Sequence, residues 1–282
     1  MGVTLEFDLP PSASLASAAM TRGRKLTPGA TIPRIEASAR RLAPDLAAYA
    51  RVCGFAAADP LPITSLNVLA RGLQFAVMTY AEFPLPLLGI VHTWQSIRAL
   101  RPVRASESLS ARCWVEGHRV ARKGVEFELH TSVSASGEAV WSAITTILSR
   151  AAPGDGEKRP RPQDPAWSVA RSTVWSLPAD LGRRYAAVSG DSNPIHLWPL
   201  TARLFGFKRP IAHGWWALAR ALAEMDTDVP GACVVEARFL APLSLPGRAT
   251  FASGPLRNSP GHRFEIRRKE ACVVGEVRPL DP

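Results

Sequence analysis

The stretch Tyr185–Leu197 reads YAAVSGDSNPIHL and carries the strongest local structural signals in the chain. Gly190 permits a tight turn. Asn193 followed by a proline is typical of a helix N-terminus, with Asn as the cap and Pro at the first helical position. We therefore predict Asp191 in a turn and His196 in the first turn of a short helix, where the chain can bring the two side chains to one spot.

A carboxylate beside an imidazole supplies two groups that can transfer protons, as the addition or removal of water requires. Another interpretation stays open on spacing alone. Asp, Asn and Gly are also ordinary turn residues, and a histidine at this place can simply pack in the core.

A second run, IAHGWW at 211–216, leads into ALARALAEM and predicts a buried amphipathic helix from Gly214. One face carries Gly214, Leu218, Ala221, Leu222 and Met225, and the other face carries Arg220 and Glu224. The N-terminus of a helix has unpaired N–H groups and a partial positive charge, and a glycine there lets a ligand oxygen approach the backbone. The place suits an oxyanion, although a glycine also lets a helix pack closely against a sheet.

Two weak internal echoes indicate a duplicated fold. YARVCGF at 49–55 matches YAAVSGD at 185–191 with an offset of 136 residues. RALRPVR at 98–104 matches RFLAPLS at 238–244 with an offset of 140. Because both echoes occur in the same order at nearly one offset, we predict two copies of one structural unit.

Each predicted copy places helices before a run of strands, which is an α+β pattern. Hydrophobic periodicity and Gly/Pro punctuation give the elements. Helices are predicted near 44–53, 65–81, 179–188 and from 214, and strands over 88–100, 109–118, 125–135, 139–149, 233–241, 249–253, 263–268 and 271–278.

Residues 151–166, AAPGDGEKRPRPQDPA, predict a linker because they are rich in Pro, Gly and charge and have no hydrophobic period. They divide the chain into an N-terminal half, 1–150, and a C-terminal half, 167–282. In the N-terminal half the segment GFAAADPLP from Gly54 lacks a carboxylate and an imidazole at the places of Asp191 and His196. We expect the C-terminal half to react and the N-terminal half to shape a pocket for a bulky group.

The composition of the chain limits the kinds of partner that it is expected to bind. The formal net charge of +10 divides into +5 in each half, so it is spread over the chain. No nucleic-acid motif accompanies it, and we predict no nucleic-acid partner. The excess of arginine fits a basic surface, or a patch for a phosphate-bearing cofactor or an acidic carrier protein.

The expected compartment is the cytoplasm. The chain contains no apolar run of 18 residues, so we predict no membrane span. Its start, MGVTLEFDLP, lacks the basic and apolar regions of an export signal. The four cysteines are far apart without a CxxC pair, which argues against zinc and for reduced thiols.

The run 185–197, followed by IAHGW at 211–215, resembles the signature of the MaoC-like, or hydratase 2, family. Members are (R)-specific enoyl-thioester hydratases and 3-hydroxyacyl-thioester dehydratases of the hotdog fold, an antiparallel sheet wrapped around a long helix. The motif covers roughly residues 184–225, and the two-halved length is similar to double-hotdog members. In these an N-terminal copy without catalytic residues opens space for the acyl chain.

The resemblance implies a role for four residues. Asp191 and His196 match the catalytic dyad, and Gly214 matches the residue whose backbone N–H meets the thioester oxygen. Asn193 matches a residue that holds the active-site turn. His213 and Trp215 beside Gly214 are expected to shape the site structurally.

The resemblance also implies the carrier: no metal or redox cofactor is needed, and the acyl group arrives on coenzyme A or acyl carrier protein. A homodimer or a pseudo-dimeric monomer is expected, in fatty-acid or related metabolism. A hotdog thioesterase and a non-catalytic acyl-thioester binding or assembly subunit are the alternatives.

Two positions depart from the family pattern. Small single-hotdog hydratases have Ser eight residues after the glycine, where this chain has Leu222. Many members have an acid two residues after the histidine, where this chain has Trp198, which we expect in the core or the pocket wall.

An acyl tunnel is expected between the halves, lined by residues around 66–83. The stretch offers Leu69, Leu73, Phe75, Val77, Met78 and Phe83, and substitutions such as Ala70→Phe or Ala76→Trp would shorten such a tunnel. Burying methylenes gains about 0.8 kcal/mol each, so a tunnel favours substrates longer than four carbons.

Overall fold

A computed structural model gives the protein two halves with the same order of elements. The structure describes residues 2–12, 21, 24, 26, 30–88, 90–150, 156 and 164–280. The N-terminal half contains β1 (Val3–Phe7), β2 (Ile35–Ala39), α1 (Ala47–Cys53), α2 (Ser65–Leu69), α3 (Arg71–Thr79), β3 (Val91–Ala99), β4 (Leu109–Ala121), β5 (Gly124–Ala135) and β6 (Glu138–Ser149).

The C-terminal half repeats this plan. It contains β7 (Arg171–Leu177), α4 (Leu181–Ser189), a 3₁₀ helix (Pro194–His196), α5 (Pro199–Leu204), α6 (Gly214–Glu224), a second 3₁₀ helix (Asp226–Asp228), β8 (Cys233–Phe239), β9 (Gly247–Pro255), β10 (His262–Arg267) and β11 (Ala271–Pro279).

The strands form one sheet whose order is symmetric about its centre: β1-β2-β4-β5-β6-β3-β8-β11-β10-β9-β7. Apart from β1, which joins β2 in parallel, each strand of one half has its counterpart at the same distance from the centre. The central strands β3 and β8 pair antiparallel, with Ser96 opposite Glu236. These two residues are separated by the 140-residue offset of the second sequence echo, so a pseudo-twofold axis passes between them.

The first sequence echo also has a structural basis. Tyr49 of α1 and Tyr185 of α4 are both fully buried, and their ring centroids lie 6.1 Å apart where the two helices meet. Both helices end at a left-handed glycine, Gly54 with φ 83° and Gly190 with φ 71°. Only glycine adopts this conformation without strain, which accounts for its presence in both copies.

Each half has a long central helix that is largely buried. Leu73 and Val77 of α3 are fully buried, and the helix packs on β2 and β4. Leu218 and Leu222 of α6 are buried in the same way, with β11 among the packing partners. Burial of one such side chain contributes about 1.5–3 kcal/mol. Two antiparallel sheet halves, each around a helix, confirm the α+β double hotdog fold.

Several elements differ from the prediction. The helix expected over 65–81 is interrupted at Ala70, where the backbone turns between α2 and α3. Strands β1, β2 and β7 and helix α5 were not predicted, since they are short or lie at the edge of the sheet. The predicted linker, 151–166, lies mostly outside the described residues, and the domain boundaries stay a prediction.

The four cysteines are free and buried, and burial raises the pKa of the Cys113 thiol to about 12. Among the described residues, no helix combines the length and the apolar character needed to cross a membrane.

Candidate active site

The segment 190–196, here called the acid–histidine turn, is held by its own backbone and by the N-terminal half. Gly190 reverses the chain after α4. The Asn193 side chain accepts a hydrogen bond from the N–H of Ile195 at 3.5 Å, and its Nδ2 donates to the carbonyl of Ile90 at 3.4 Å. Asn193 caps the 3₁₀ helix and the next residue is Pro at N1, as predicted.

His196 is buried, and one hydrogen bond fixes which of its ring nitrogens can accept a proton. Its Nδ1 lies 2.8 Å from the carbonyl oxygen of Ile211, so the Nδ1–H donates and Nε2 keeps its lone pair. Burial lowers the pKa of His196, and the nearby carboxylate of Asp191 only partly opposes that effect. A neutral imidazole with a free Nε2 can accept a proton.

Asp191 lies beside this imidazole and has a partner on each carboxylate oxygen. Oδ1 accepts the N–H of Asn193 at 3.2 Å, and Oδ2 lies 3.6 Å from Nη2 of Arg71. Burial raises the pKa of Asp191, but the guanidinium of Arg71 and the hydrogen bond from the Asn193 N–H lower it, and the result is well below the usual range. The carboxylate is therefore ionised at neutral pH.

His213 stacks on His196, with ring centroids 3.6 Å apart. Its Nε2–H donates to the backbone carbonyl of Asp191 at 3.0 Å, so it connects the helix α6 to the turn. Burial and the adjacent His196 lower the pKa of His213 to about 3, which keeps the ring neutral.

The three side chains offer nitrogen and oxygen atoms within 4.8 Å of one another, which is the spacing of a metal site. The positive guanidinium beside Asp191 opposes a cation there. The same three groups suit proton transfer without a metal.

Gly214 opens α6, and no side chain caps this helix end within the described residues. A Cβ built on Gly214 would lie 3.0 Å from the ring of Phe239 and 3.4 Å from Nδ1 of His92. The glycine therefore keeps the space in front of the helix N-terminus open. Backbone N–H groups and the positive end of the helix face that space.

Both halves line one cavity of about 220 Å³ that reaches Asp191, His196 and Gly214. The lining is largely apolar. The α2–α3 segment contributes Asn67, Arg71, Gln74, Phe75 and Met78, and other apolar walls come from Leu87, Leu88, Leu129, Ile147, Phe207, Phe239, Leu240 and Val273.

The expected tunnel lining is therefore wrong in part. Phe75 and Met78 line the cavity, but Leu73, Val77 and Phe83 are core residues with no exposed surface. Leu69, Ala70 and Ala76 also lie outside the lining. The reason is the face of the helix: positions 67, 71, 74, 75 and 78 share the side turned to the cavity.

Comparison with known proteins identifies the family to which the chain belongs. The MaoC like domain family matches residues 160–253. The 3-hydroxyacyl-thioester dehydratase X of Mycobacterium tuberculosis is 36% identical over 207 residues, which are 73% of this chain and 74% of that protein. The protein belongs to the MaoC-like dehydratase family.

Solved structures of MaoC-like proteins agree in fold. The crystal structure of HtdX from Mycobacterium tuberculosis superposes with a TM-score of 0.76 at 31% identity, covering 86% of this chain and 99% of that chain. A MaoC-like dehydratase from Phytophthora capsici gives a TM-score of 0.67 at 22% identity over 89% of this chain and 96% of that chain. The latter likeness supports the hotdog fold alone.

Membership in the MaoC-like family makes the protein an enzyme of the hydro-lyase class. The shared fold alone does not decide this, because one scaffold hosts several activities. The alternative of a thioesterase and that of a non-catalytic subunit are both less consistent with this membership.

Two residues of the N-terminal half line this MaoC-like site although the sequence analysis did not predict them. Arg71 contacts the carboxylate of Asp191, and the ring of His92 packs against Phe239 with ring centroids 4.2 Å apart and an interplanar angle of 33°. Burial, and then the charge of Arg71, lower the pKa of His92 to about 4. One sequence signal pointed to Arg71: it is the only charged residue between Asp59 and Glu82.

The tryptophans and the departures from the family pattern have simple structural accounts. Trp215 is buried in the cavity wall, and its Nε1–H donates to the carbonyl of Thr64 in the other half at 3.0 Å. Leu222 is a buried core residue. The expectation for Trp198 was wrong: the residue is 52% exposed at the N-cap of α5, and the guanidinium of Arg183 lies 4.0 Å from its ring centroid.

Proposed function

We propose that this MaoC-like enzyme adds water reversibly to trans-2-enoyl thioesters, forming (3R)-hydroxyacyl thioesters, with Asp191 and His196 as its dyad. One observation carries the proposal. An ionised carboxylate and an imidazole with a free Nε2 lie together in an apolar cavity, beside the N-terminus of α6. The named relative, a 3-hydroxyacyl-thioester dehydratase, supports the same chemistry.

Hydration begins with a water molecule between the two side chains. The oxygen of the water attacks C3 while Nε2 of His196 accepts one of its protons, and the Asp191 carboxylate accepts a hydrogen bond from the other hydrogen. The electron pair of the C2=C3 bond moves toward the thioester carbonyl, whose oxygen gains negative charge. The backbone N–H of Gly214 stabilises that charge.

The second step returns the proton. The His196 imidazolium gives its proton to C2 and the carbonyl re-forms, so that one water has been added across the double bond. The same steps in reverse release water from the hydroxyacyl thioester. Nε2 of His196 has a free lone pair, whereas each carboxylate oxygen of Asp191 already has a partner, so we assign the proton to His196 and the orientation of water to Asp191.

The acyl chain occupies the apolar part of the cavity, between Phe75 and Met78 of α3 and the C-terminal half. Its carrier is coenzyme A or an acyl carrier protein, and the basic surface of the chain suits the anionic groups of either. A cytoplasmic location and a homodimer or pseudo-dimeric monomer complete the proposal.

The test is a direct assay of water addition. Purified enzyme is mixed with crotonyl- through dodecenoyl-CoA while loss of the enoyl absorbance and release of free thiol are followed together. We expect the absorbance to fall without thiol release, and chiral analysis to give the (3R)-hydroxyacyl product. Thiol release would identify a thioesterase, and binding without turnover would identify a non-catalytic subunit.

A further inference from the structure

The two central helices carry an arginine at the same position. Arg71 is the seventh residue of the α2–α3 segment counted from Ser65, and Arg220 is the seventh residue of α6 counted from Gly214. Each side chain reaches the glycine turn of the opposite half. A Cβ built on Gly190 lies 3.9 Å from Cγ of Arg71, and one built on Gly54 lies 1.9 Å from Nη1 of Arg220. The pseudo-twofold axis therefore relates the two arginines.

The acidic partners of the two arginines lie in different places. Arg220 pairs with Glu224, one turn further along its own helix, at 2.7 Å. The residue four places after Arg71 is Phe75, so Arg71 has no such partner on its helix. At the glycine turns the difference is reversed: the acidic residue Asp191 follows Gly190, whereas the apolar residue Phe55 follows Gly54.

Arg71 therefore forms its ion pair with the carboxylate of Asp191 in the other half. Its Nη2 lies 3.6 Å from Oδ2, and only 15% of the arginine side chain and 20% of the aspartate side chain are exposed. Nε of Arg71 is buried without a hydrogen-bond partner among the described residues. A buried N–H without a partner costs free energy, so the charge or the length of this side chain must offset that cost.

We propose that Arg71 is a positioning residue of the active site, contributed by the half that lacks the dyad. It holds Oδ2 of Asp191 from one side while the N–H of Asn193 holds Oδ1 from the other. The carboxylate plane is thereby fixed toward the water that His196 deprotonates. This inference rests on the proposed function for its effect on rate, but not for its effect on Asp191 itself.

Electrostatics gives the sign of the expected pH effect. The titratable and charged groups that face Asp191 are Arg71 from α3, His92 from β3, His196, His213 and Tyr185 from α4. Burial raises the pKa of Asp191, and Arg71 is the largest influence in the opposite direction. Without Arg71 the effect of burial is less strongly opposed, so protonation of Asp191 begins at higher pH. The acidic limb of kcat therefore moves upward.

The variants Arg71→Met and Arg71→Lys test the proposal, with Arg220→Met as the matched control on the other helix. For Arg71→Met we expect kcat to fall roughly 10- to 100-fold, the size that about 1 Å of misplacement costs, with KM nearly unchanged. The acidic limb should shift upward by about one pH unit or more. Arg71→Lys should restore most of the pH profile, and Arg220→Met should leave both kcat and the profile unchanged.

A double-mutant cycle and a titration separate this role from structure alone. In an Asp191→Asn background, Arg71→Met should change the residual rate little, because the group it acts on is gone. Carboxyl ¹³C resonances of labelled aspartate, with Asp191 assigned from Asp191→Asn, report the titration of Asp191 without any turnover. We expect its midpoint to rise in Arg71→Met and to stay unchanged in Arg220→Met.

The outcomes are distinguishable. An unchanged Asp191 titration, or a raised KM at constant kcat, in folded Arg71→Met overturns the positioning role, and full additivity in the cycle does the same. If the wild type turns over no enoyl thioester but the Asp191 titration still shifts, the proposed function is wrong and the contact of Arg71 with Asp191 stands.

Discussion

The acid–histidine turn, 190–196, and the turn at 54–60 begin in the same way and end in opposite chemistry. Both follow a helix whose tyrosine is buried and both start at a left-handed glycine. After Gly190 come a carboxylate and an imidazole that face the cavity. After Gly54 comes Phe55, which stacks on Tyr49 with ring centroids 6.4 Å apart. Phe55 is partly buried against the core and offers no group that can transfer a proton.

The comparison also shows what the N-terminal half kept. Its helix supplies Arg71, and its strand β3 supplies His92, to the site in the C-terminal half. The half without the dyad therefore forms a second wall of the site, to which it contributes the charge of Arg71 and the ring of His92.

The largest effect is expected at the acid–histidine turn. Asp191→Asn and His196→Ala should each lower kcat by about 10²-fold or more, because each removes one of the two proton-handling groups. Circular dichroism and thermal unfolding check that both variants fold.

Phe55→Ala is the counterpart substitution in the other turn. It should leave kcat unchanged and lower the free energy of unfolding by roughly half of the about 3–5 kcal/mol typical of a fully buried Phe. Near-wild-type turnover in either dyad variant, or a lost kcat in Phe55→Ala, would mean that the two turns do not differ as described.

An intermediate effect is expected at Gly214, which opens α6, and its control is Ser65, which opens α2. Gly214→Ala places a Cβ against Phe239 and His92 and obstructs the oxyanion position, so kcat should fall about tenfold or more. Ser65→Ala removes the 2.7 Å hydrogen bond to the Pro62 carbonyl and should cost about 1 kcal/mol of stability with kcat unchanged. Steady-state kinetics and denaturant melts measure both, and equal kcat losses would contradict the assignment of Gly214.

The smallest effect is expected within α3, where one side faces the cavity and the other the core. Met78→Trp should lower kcat/KM for long acyl chains by about fourfold for each methylene it displaces, while crotonyl-CoA is little affected. Ala76→Ser, outside the lining, should keep the wild-type chain-length profile. A wild-type profile that peaks at four carbons and falls steadily would refute the acyl cavity.

Local signals made the turn and the helices predictable. Asn193 before a proline specifies a helix N-cap through one or two hydrogen bonds, and Gly190 specifies a left-handed end, so neither depends on distant residues. The echoes at 49–55 and 98–104 were enough to predict the duplication, because they share nearly one offset. The structure confirms it, since equivalent residues of the two copies meet at the pseudo-twofold axis.

Contacts between distant residues were not predictable. Arg71 and Asp191 are 120 positions apart and meet only because the two halves face each other. Periodicity gave α3 an apolar face, but it does not say which side faces the cavity, so Val77 and Met78 looked alike. The exposure of Trp198 follows from α5, a short helix whose existence the pattern did not indicate.

The pairing of Ser96 with Glu236 across the centre of the sheet places the two halves as the subunits of a symmetric homodimer would lie. In a homodimer every substitution appears twice, and an arginine recruited to one site is also imposed on the other. Joining the copies in one chain removes that constraint. Each helix could then acquire a mutation that its twin did not share, and a single asymmetric site could evolve without a matching cost at the second position.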